Sequence, residues 1–86
     1  MEHCIPLCSL LPMQQATISR LDVQQALRRR LNDLGVIEGT RVMCLRVCPL
    51  GDPVLYLLRG TVLALRKQDA ARIGIRMTEE RGEERE

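Results

Sequence analysis

The segment CPLGDPVLYLLRG, residues 48–60, restricts the fold more than any other stretch of this 86-residue chain. Pro49 and Pro53 lack backbone donors, so neither can sit inside a helix or a central β-ladder. The chain must turn a corner here, ending one element before Pro49 and starting another after Pro53. Gly51 supplies a positive φ at low cost, and Asp52 can accept hydrogen bonds from nearby backbone amides. Leu50 is apolar at the tip of this corner; it either folds back on the body of the protein or is offered to a partner. Two strands are predicted beyond it, Val54 to Arg59 and Thr61 to Leu65, with Gly60 as the tight link between them.

One helix is predicted near residues 23–34. Asp22 reads as its N-cap, with Gln25 completing a capping-box pattern. Leu27, Leu31 and Leu34 fall on one apolar stripe. Gly35 stands where a left-handed residue ends a helix, and Val36 stands where a Schellman ending packs back on Leu31. The segment before the helix, QATISRL (15–21), alternates as a short strand, with Ala16, Ile18 and Arg20 on one face and Leu21 on the other. After a turn at Glu38-Gly39, residues 40–47 form a strand that is largely apolar on both faces, with Val42, Cys44, Arg46 and Cys48 on one side and Met43, Leu45 and Val47 on the other. A helical turn near 68–72 precedes a last strand carrying Ile73, Ile75 and Met77 on one face. The predicted architecture is mainly β with one helix: a small, partly open barrel of about five strands with the helix plugging one end.

The chain has no Phe or Trp and one tyrosine, Tyr56, so its core is aliphatic. Without aromatic platforms for base stacking, the common single-strand nucleic-acid modules are disfavoured, and no nucleic acid is expected as a partner. Apolar runs fall far short of the roughly 20 residues of a membrane span. The start, MEHCIPLCSLL, lacks a basic region and does not read as a signal peptide, so the expected compartment is the cytoplasm. Residues 1–78 carry 11 bases against 6 acids, whereas the tail EERGEERE (79–86) has five acids and two arginines. We therefore expect one domain over 1–78, its first eight residues loosely held, followed by a disordered acidic tail.

No catalytic set is present: a lone His3 cannot serve a triad, and no Gly-rich phosphate loop precedes a helix, so no enzyme is expected. The four cysteines form two CxxxC pairs. In a strand, Cys44 and Cys48 would lie about 13 Å apart, too far to share an ion, and are expected to be small buried hydrophobes. His3, Cys4 and Cys8 are weaker candidates for a surface site holding Fe(II) or Zn(II), and a free Met1-Glu2-His3 terminus offers an adventitious Cu(II) or Ni(II) set. A cytosolic setting argues against disulfides. Arg28, Arg29 and Arg30 spread around the helix. They are expected to form a solvated face with pairs such as Arg29 to Asp33, or to dock on an acidic partner surface.

Three ordered motifs, ALRRRLNDLGVIEGTRV, CPLGDPVLYLLRG and LALRKQDAARIGI, resemble the FeoA family of bacterial ferrous iron uptake. The resemblance covers residues 7 to 77. It implies an SH3-like barrel, similar also to the C-terminal domain of iron-dependent repressors. It further implies an accessory role toward a FeoB-type membrane transporter with a cytosolic GTP-binding domain, and so a place in the cytoplasm or at the inner membrane through that partner. Matched positions are mostly architectural: Leu31, Leu34, Gly35, Gly39 and Val42, then Pro49, Pro53, Gly60, Leu65 and Ile73. By analogy with loop-mediated binding in SH3-like barrels, partner contact is expected at Leu50, Gly51 and Asp52, with Arg28 and Arg29 as further candidates. The family usually has a glycine near LPMQQ (11–15), where this chain has Met13 and Gln14, so an entry turn of a different type is expected. Whether the protein stimulates or restrains its transporter, and whether it forms a homodimer, stay open. A metal-responsive regulatory module is the alternative reading.

Overall fold

The computed structural model describes residues 4–77; His3 and the acidic tail lie outside the described residues. The elements run β1 (Ile5–Pro6), a 3-10 turn (Leu7–Ser9), β2 (Gln15–Leu21), α1 (Gln25–Asp33), β3 (Arg41–Val47), β4 (Val54–Leu58), β5 (Thr61–Leu65), α2 (Lys67–Ala70) and β6 (Ile73–Met77). The strands form one antiparallel sheet in the order β1-β6-β2-β3-β4-β5. One row of the ladder passes through Met77, Ala16, Val42, Leu58 and Thr61, so five strands are in register at one end of the sheet.

The sheet has six strands where about five were expected. The extra one is β1, and for residues 5–8 it replaces the expected loose start with a strand and a turn. From Ile5 onward the chain is held: Ile5 pairs with Ile75 and Pro6 with Gly74, and Leu7 is completely buried. Leu7 enters the core that Tyr56 occupies from β4, and the Tyr56 hydroxyl donates to the Leu7 carbonyl at 3.4 Å. A Cβ on Gly74 would collide with the Cys4 sulfur and crowd Arg20 Cβ, so a side chain there would displace Cys4, the residue just before the first strand.

Two bulges reset the inward and outward alternation. Register shifts between Ile18 and Arg20, so Ser19 is an extra residue and Leu21 turns inward, against the face expected for it. A second shift lies between Cys44 and Arg46. It sends Arg46, predicted to share a face with Val42 and Cys44, to the outside.

Helix α1 begins at Gln25, with Gln24 in the cap position and no side-chain cap. Asp22, the expected N-cap, is instead bound to Arg72: the Arg72 Nε–H donates to the Asp22 carbonyl at 2.9 Å, and the two side chains approach to 3.8 Å. The C-terminal end forms as the sequence implies. Val36 N–H bonds to Leu31 O at 2.8 Å and Gly35 N–H to Asn32 O at 2.9 Å, with Gly35 at φ +82°. The expected stripe is reduced to one anchor, since Leu31 is buried, Leu27 half-buried and Leu34 exposed.

The entry turn Leu11–Gln14 has the geometry a glycine would take. Gln14 N–H bonds to Leu11 O at 2.9 Å, Pro12 fills the second place, and Met13 stands at φ +72°. This is a type II turn with methionine at the position that favours glycine. Met13 is also exposed, so its side chain offers little in return. Met13→Gly is therefore expected to raise stability by about 0.5–1 kcal/mol in a denaturant titration, relief of the left-handed strain outweighing the entropy added to the unfolded chain.

Candidate partner-binding surface

The corner read from the sequence is a tied loop between β3 and β4. Gly51 N–H bonds to Cys48 O at 2.7 Å, closing a turn with Pro49 in its second place, and Cys48 N–H bonds to Pro53 O at 3.2 Å across the base. The Asp52-Pro53 peptide is cis. Asp52 does accept a backbone amide, but a distant one: Lys67 N–H reaches its Oδ1 at 2.8 Å, fastening the loop to the start of α2. Held this way, the turn presents Leu50 outward with 95% of its surface exposed. Of the two readings left open for Leu50, the folded-back one is excluded. Val47 at the foot of the loop is also exposed, which extends the apolar tip.

Arg28 and Arg29 are exposed on α1, and among the described residues no ion pair links either of them to the corner. Arg28 lines a hollow with Asn32, Val36, Ile37 and Glu38, while the corner is fastened to α2. Arg29 and Asp33 make no ion pair among the described residues; both side chains are left to solvent, consistent with the small worth of exposed pairs. The cation that sequence reasoning missed is Arg59. It stands in the β4–β5 turn at φ +52°, followed by Gly60 at φ +77°, the two-residue type I′ link. Its guanidinium lies over the end of α1: a Cβ on Gly35 would meet Arg59 Nε at 3.3 Å. A cation there complements the negative end of the helix. The apolar alternation around an Arg-Gly pair gave the turn, but not the direction of the arginine.

Cys44 is fully buried and burial raises its thiol pKa, which keeps it a protonated apolar side chain. Cys48 is only half-buried, less than expected. Cys8 is also half-buried, and Cys4 is exposed with its sulfur 3.3 Å from Ser19 Oγ. Among the described residues, no three His, Cys, Asp or Glu side chains come together in a way that could hold a metal ion. The remaining metal candidate, His3, lies outside them. No helix among the described residues is long and apolar enough to cross a membrane.

Comparison with known proteins agrees with this geometry. The solution structure of the FeoA protein from Chlorobium tepidum is 31% identical and superposes with a TM-score of 0.84, covering 91% of this chain and 74% of that one. The crystal structure of Stenotrophomonas maltophilia FeoA complexed with zinc, described as an SH3 domain protein, is 30% identical with a TM-score of 0.63, covering 83% of this chain and 88% of that one. The barrel is thus SH3-like. A fusion protein of Fe(2+) transport protein A and the Fe(2+) transporter FeoB from Porphyromonas gingivalis is 32% identical over 63 residues. That stretch is 73% of this chain, and the chain spans only 8% of the fusion's length. The FeoA domain model matches residues 5–77, from the first strand to the last, and the chain belongs to the FeoA family, which is associated with ferrous iron transport.

Proposed function

We propose that the protein is a non-catalytic accessory domain that docks on the cytosolic face of a FeoB-type ferrous iron transporter and modulates its activity, with the Leu50 corner as the contact. The observation that carries this reading is Leu50 itself, 95% exposed on a loop whose base is closed by three hydrogen bonds. An apolar side chain presented this way costs little entropy to dock, because its backbone is already fixed. Support for the partner comes from the relative in which the same domain is fused to FeoB.

The test is binding to the purified cytosolic portion of the transporter from the same organism, with chelator present. Leu50→Ala is expected to weaken binding about tenfold or more, the range of a central apolar anchor, with the thermal midpoint unchanged. Asp52→Ala is the less direct probe. It removes the acceptor of Lys67 N–H and is expected to cost about 1 kcal/mol of stability, loosening the loop together with any contact. Unchanged affinity for Leu50→Ala would place the contact elsewhere.

A metal-responsive role is the second reading, supported by the zinc complex of the S. maltophilia relative. Cys4 and Cys8, with His3, are this chain's candidates for such an ion. Binding to the transporter that is absent with chelator and restored by Fe(II) or Zn(II) would favour it.

A further inference from the structure

The sheet has two edges, and they are treated differently. Edge strand β1 is two residues long and contains Pro6, a length and composition that resist further pairing. Edge strand β5, Thr61–Leu65, is five residues long and has no charge, no proline and no bulge. Natural sheets usually blunt such an edge.

The hairpin fixes which groups of β5 face outward. In a two-residue hairpin the closing pair, here Leu58 and Thr61, is hydrogen-bonded, and the bonds then fall on every second residue. Thr61, Leu63 and Leu65 therefore bond to β4. The N–H and C=O groups of Val62 and Ala64 point to the free edge, and no hydrogen bond from either reaches another part of the described chain. Both residues are exposed. Their side chains continue two apolar rows on the outer face of the sheet: Met43, Leu57 and Val62 in one, Leu55 and Ala64 in the other. Four backbone groups and two apolar row ends thus meet at one open edge.

Charge decides what fits there. Arg59 precedes the edge, and Arg66 and Lys67 follow it. If two copies of the chain paired antiparallel with Val62 opposite Ala64, the turn carrying Arg59 of one would come beside the Arg66-Lys67 start of α2 of the other, which brings like charges together at both ends of the paired strands. The described residues carry 11 bases against 5 acids, which adds to this repulsion. Two acids stand at this end, Asp52 through the Lys67 amide and Asp69 in the first turn of α2, against the three bases.

We propose that the β5 edge binds an extended segment of another protein, which joins the sheet as a further strand. The segment is apolar where it faces the Val62 and Ala64 rows and acidic on either side of that stretch. This mode of recognition draws its affinity from main-chain hydrogen bonds and its selectivity from alternate side chains. It is independent of the transporter reading above, which rests on the Leu50 loop.

The test uses the full chain and a synthetic peptide, acetyl-Glu-Asp-Val-Thr-Val-Thr-Val-Asp-Glu-amide. Amide exchange is followed by NMR, with a second peptide in which Lys and Arg replace the acids. The acidic peptide is expected to slow exchange at Val62 and Ala64 at least tenfold and to leave Leu63, already bonded to β4, unchanged. Val62→Pro removes an edge donor without breaking a β4 bond, and should abolish the protection at Ala64. Should that variant not fold, Ala64→Lys places a charge at the same edge and is expected to give the same loss. Leu50→Ala should bind the peptide as the parent does, which separates failure here from failure of the corner reading. The proposal is overturned by no protection with the acidic peptide, by equal binding of the basic one, or by protection at Val62 and Ala64 that grows with protein concentration alone, the sign of self-pairing.

Discussion

Tyr56→Ala is expected to leave the protein unfolded at room temperature. Tyr56 is the largest completely buried side chain and the only aromatic residue of the chain. Truncating such a residue costs about 3–5 kcal/mol in lost transfer energy and cavity. A domain this small has total stability near the low end of the usual range, on the order of 5 kcal/mol, so the loss consumes nearly all of it. Tyr56→Phe separates the ring from its hydroxyl. It keeps the volume and removes only the 3.4 Å bond to Leu7 O, with an expected cost of about 1 kcal/mol. The hydroxyl also makes stability depend on alkali. Burial, with smaller contributions from the Cys44 and Cys8 thiols, holds the Tyr56 phenol far above its ordinary value. The folded state therefore favours the neutral phenol. That preference contributes fully below the unfolded pKa of about 10 and is lost as pH rises beyond it. With one tyrosine, phenolate absorbance reports this directly: absorbance and loss of structure should rise together above about pH 10. Phenolate forming at that pH in an intact fold would contradict the burial of Tyr56.

Leu31→Ala is expected to cost about 2–5 kcal/mol, against less than about 0.5 kcal/mol for Leu34→Ala one turn further along. Leu31 is 1% exposed and is the only buried residue of α1, whereas Leu34 is 37% exposed. A nine-residue helix has little stability of its own, so it persists because one face is packed. Removing that anchor should release the helix while much of the sheet remains. Circular dichroism would show a loss of helical signal at lower denaturant than the loss of Tyr56 burial. Equal effects for the two leucines would mean that the helix is held along its whole stripe.

The contrast between Leu31 and Leu34 shows how far the sequence could be read. The helix, its Schellman ending and the five longer strands are legible because glycine, proline and apolar spacing act locally. Leu34 is not: its heptad-like position puts it on the apolar stripe, but the short helix sits on the barrel along one contact line. Asp22 is a good cap by composition, and it was lost to Arg72, a residue fifty positions away that no local pattern connects to it. The same holds for β1. Two residues carry no periodicity, and their place is set by pairing with Gly74 and Ile75, far along the sequence. The bulges at Ser19 and Leu45 are likewise set by cross-strand register. At the corner, the prolines and Gly51 announce the turn, while the exposure of Leu50 follows from the Asp52 to Lys67 bond, again between distant residues.

The position of β6 has a consequence for how the chain is made. The last strand to be synthesised lies between the first two, pairing Ile75 with Ile5 on one side and with Ile18 on the other. A nascent chain ending before Ile73 can build the β2–β3–β4–β5 meander, but β1 has no partner strand. At about 5–20 residues per second, that half-sheet persists for an interval with its apolar interior open. Closure awaits the emergence of residue 77 from the ribosome. The domain is therefore exposed to chaperones and proteases during translation in a way its finished form does not reveal, and Ile73 to Met77 is the segment whose arrival ends that exposure.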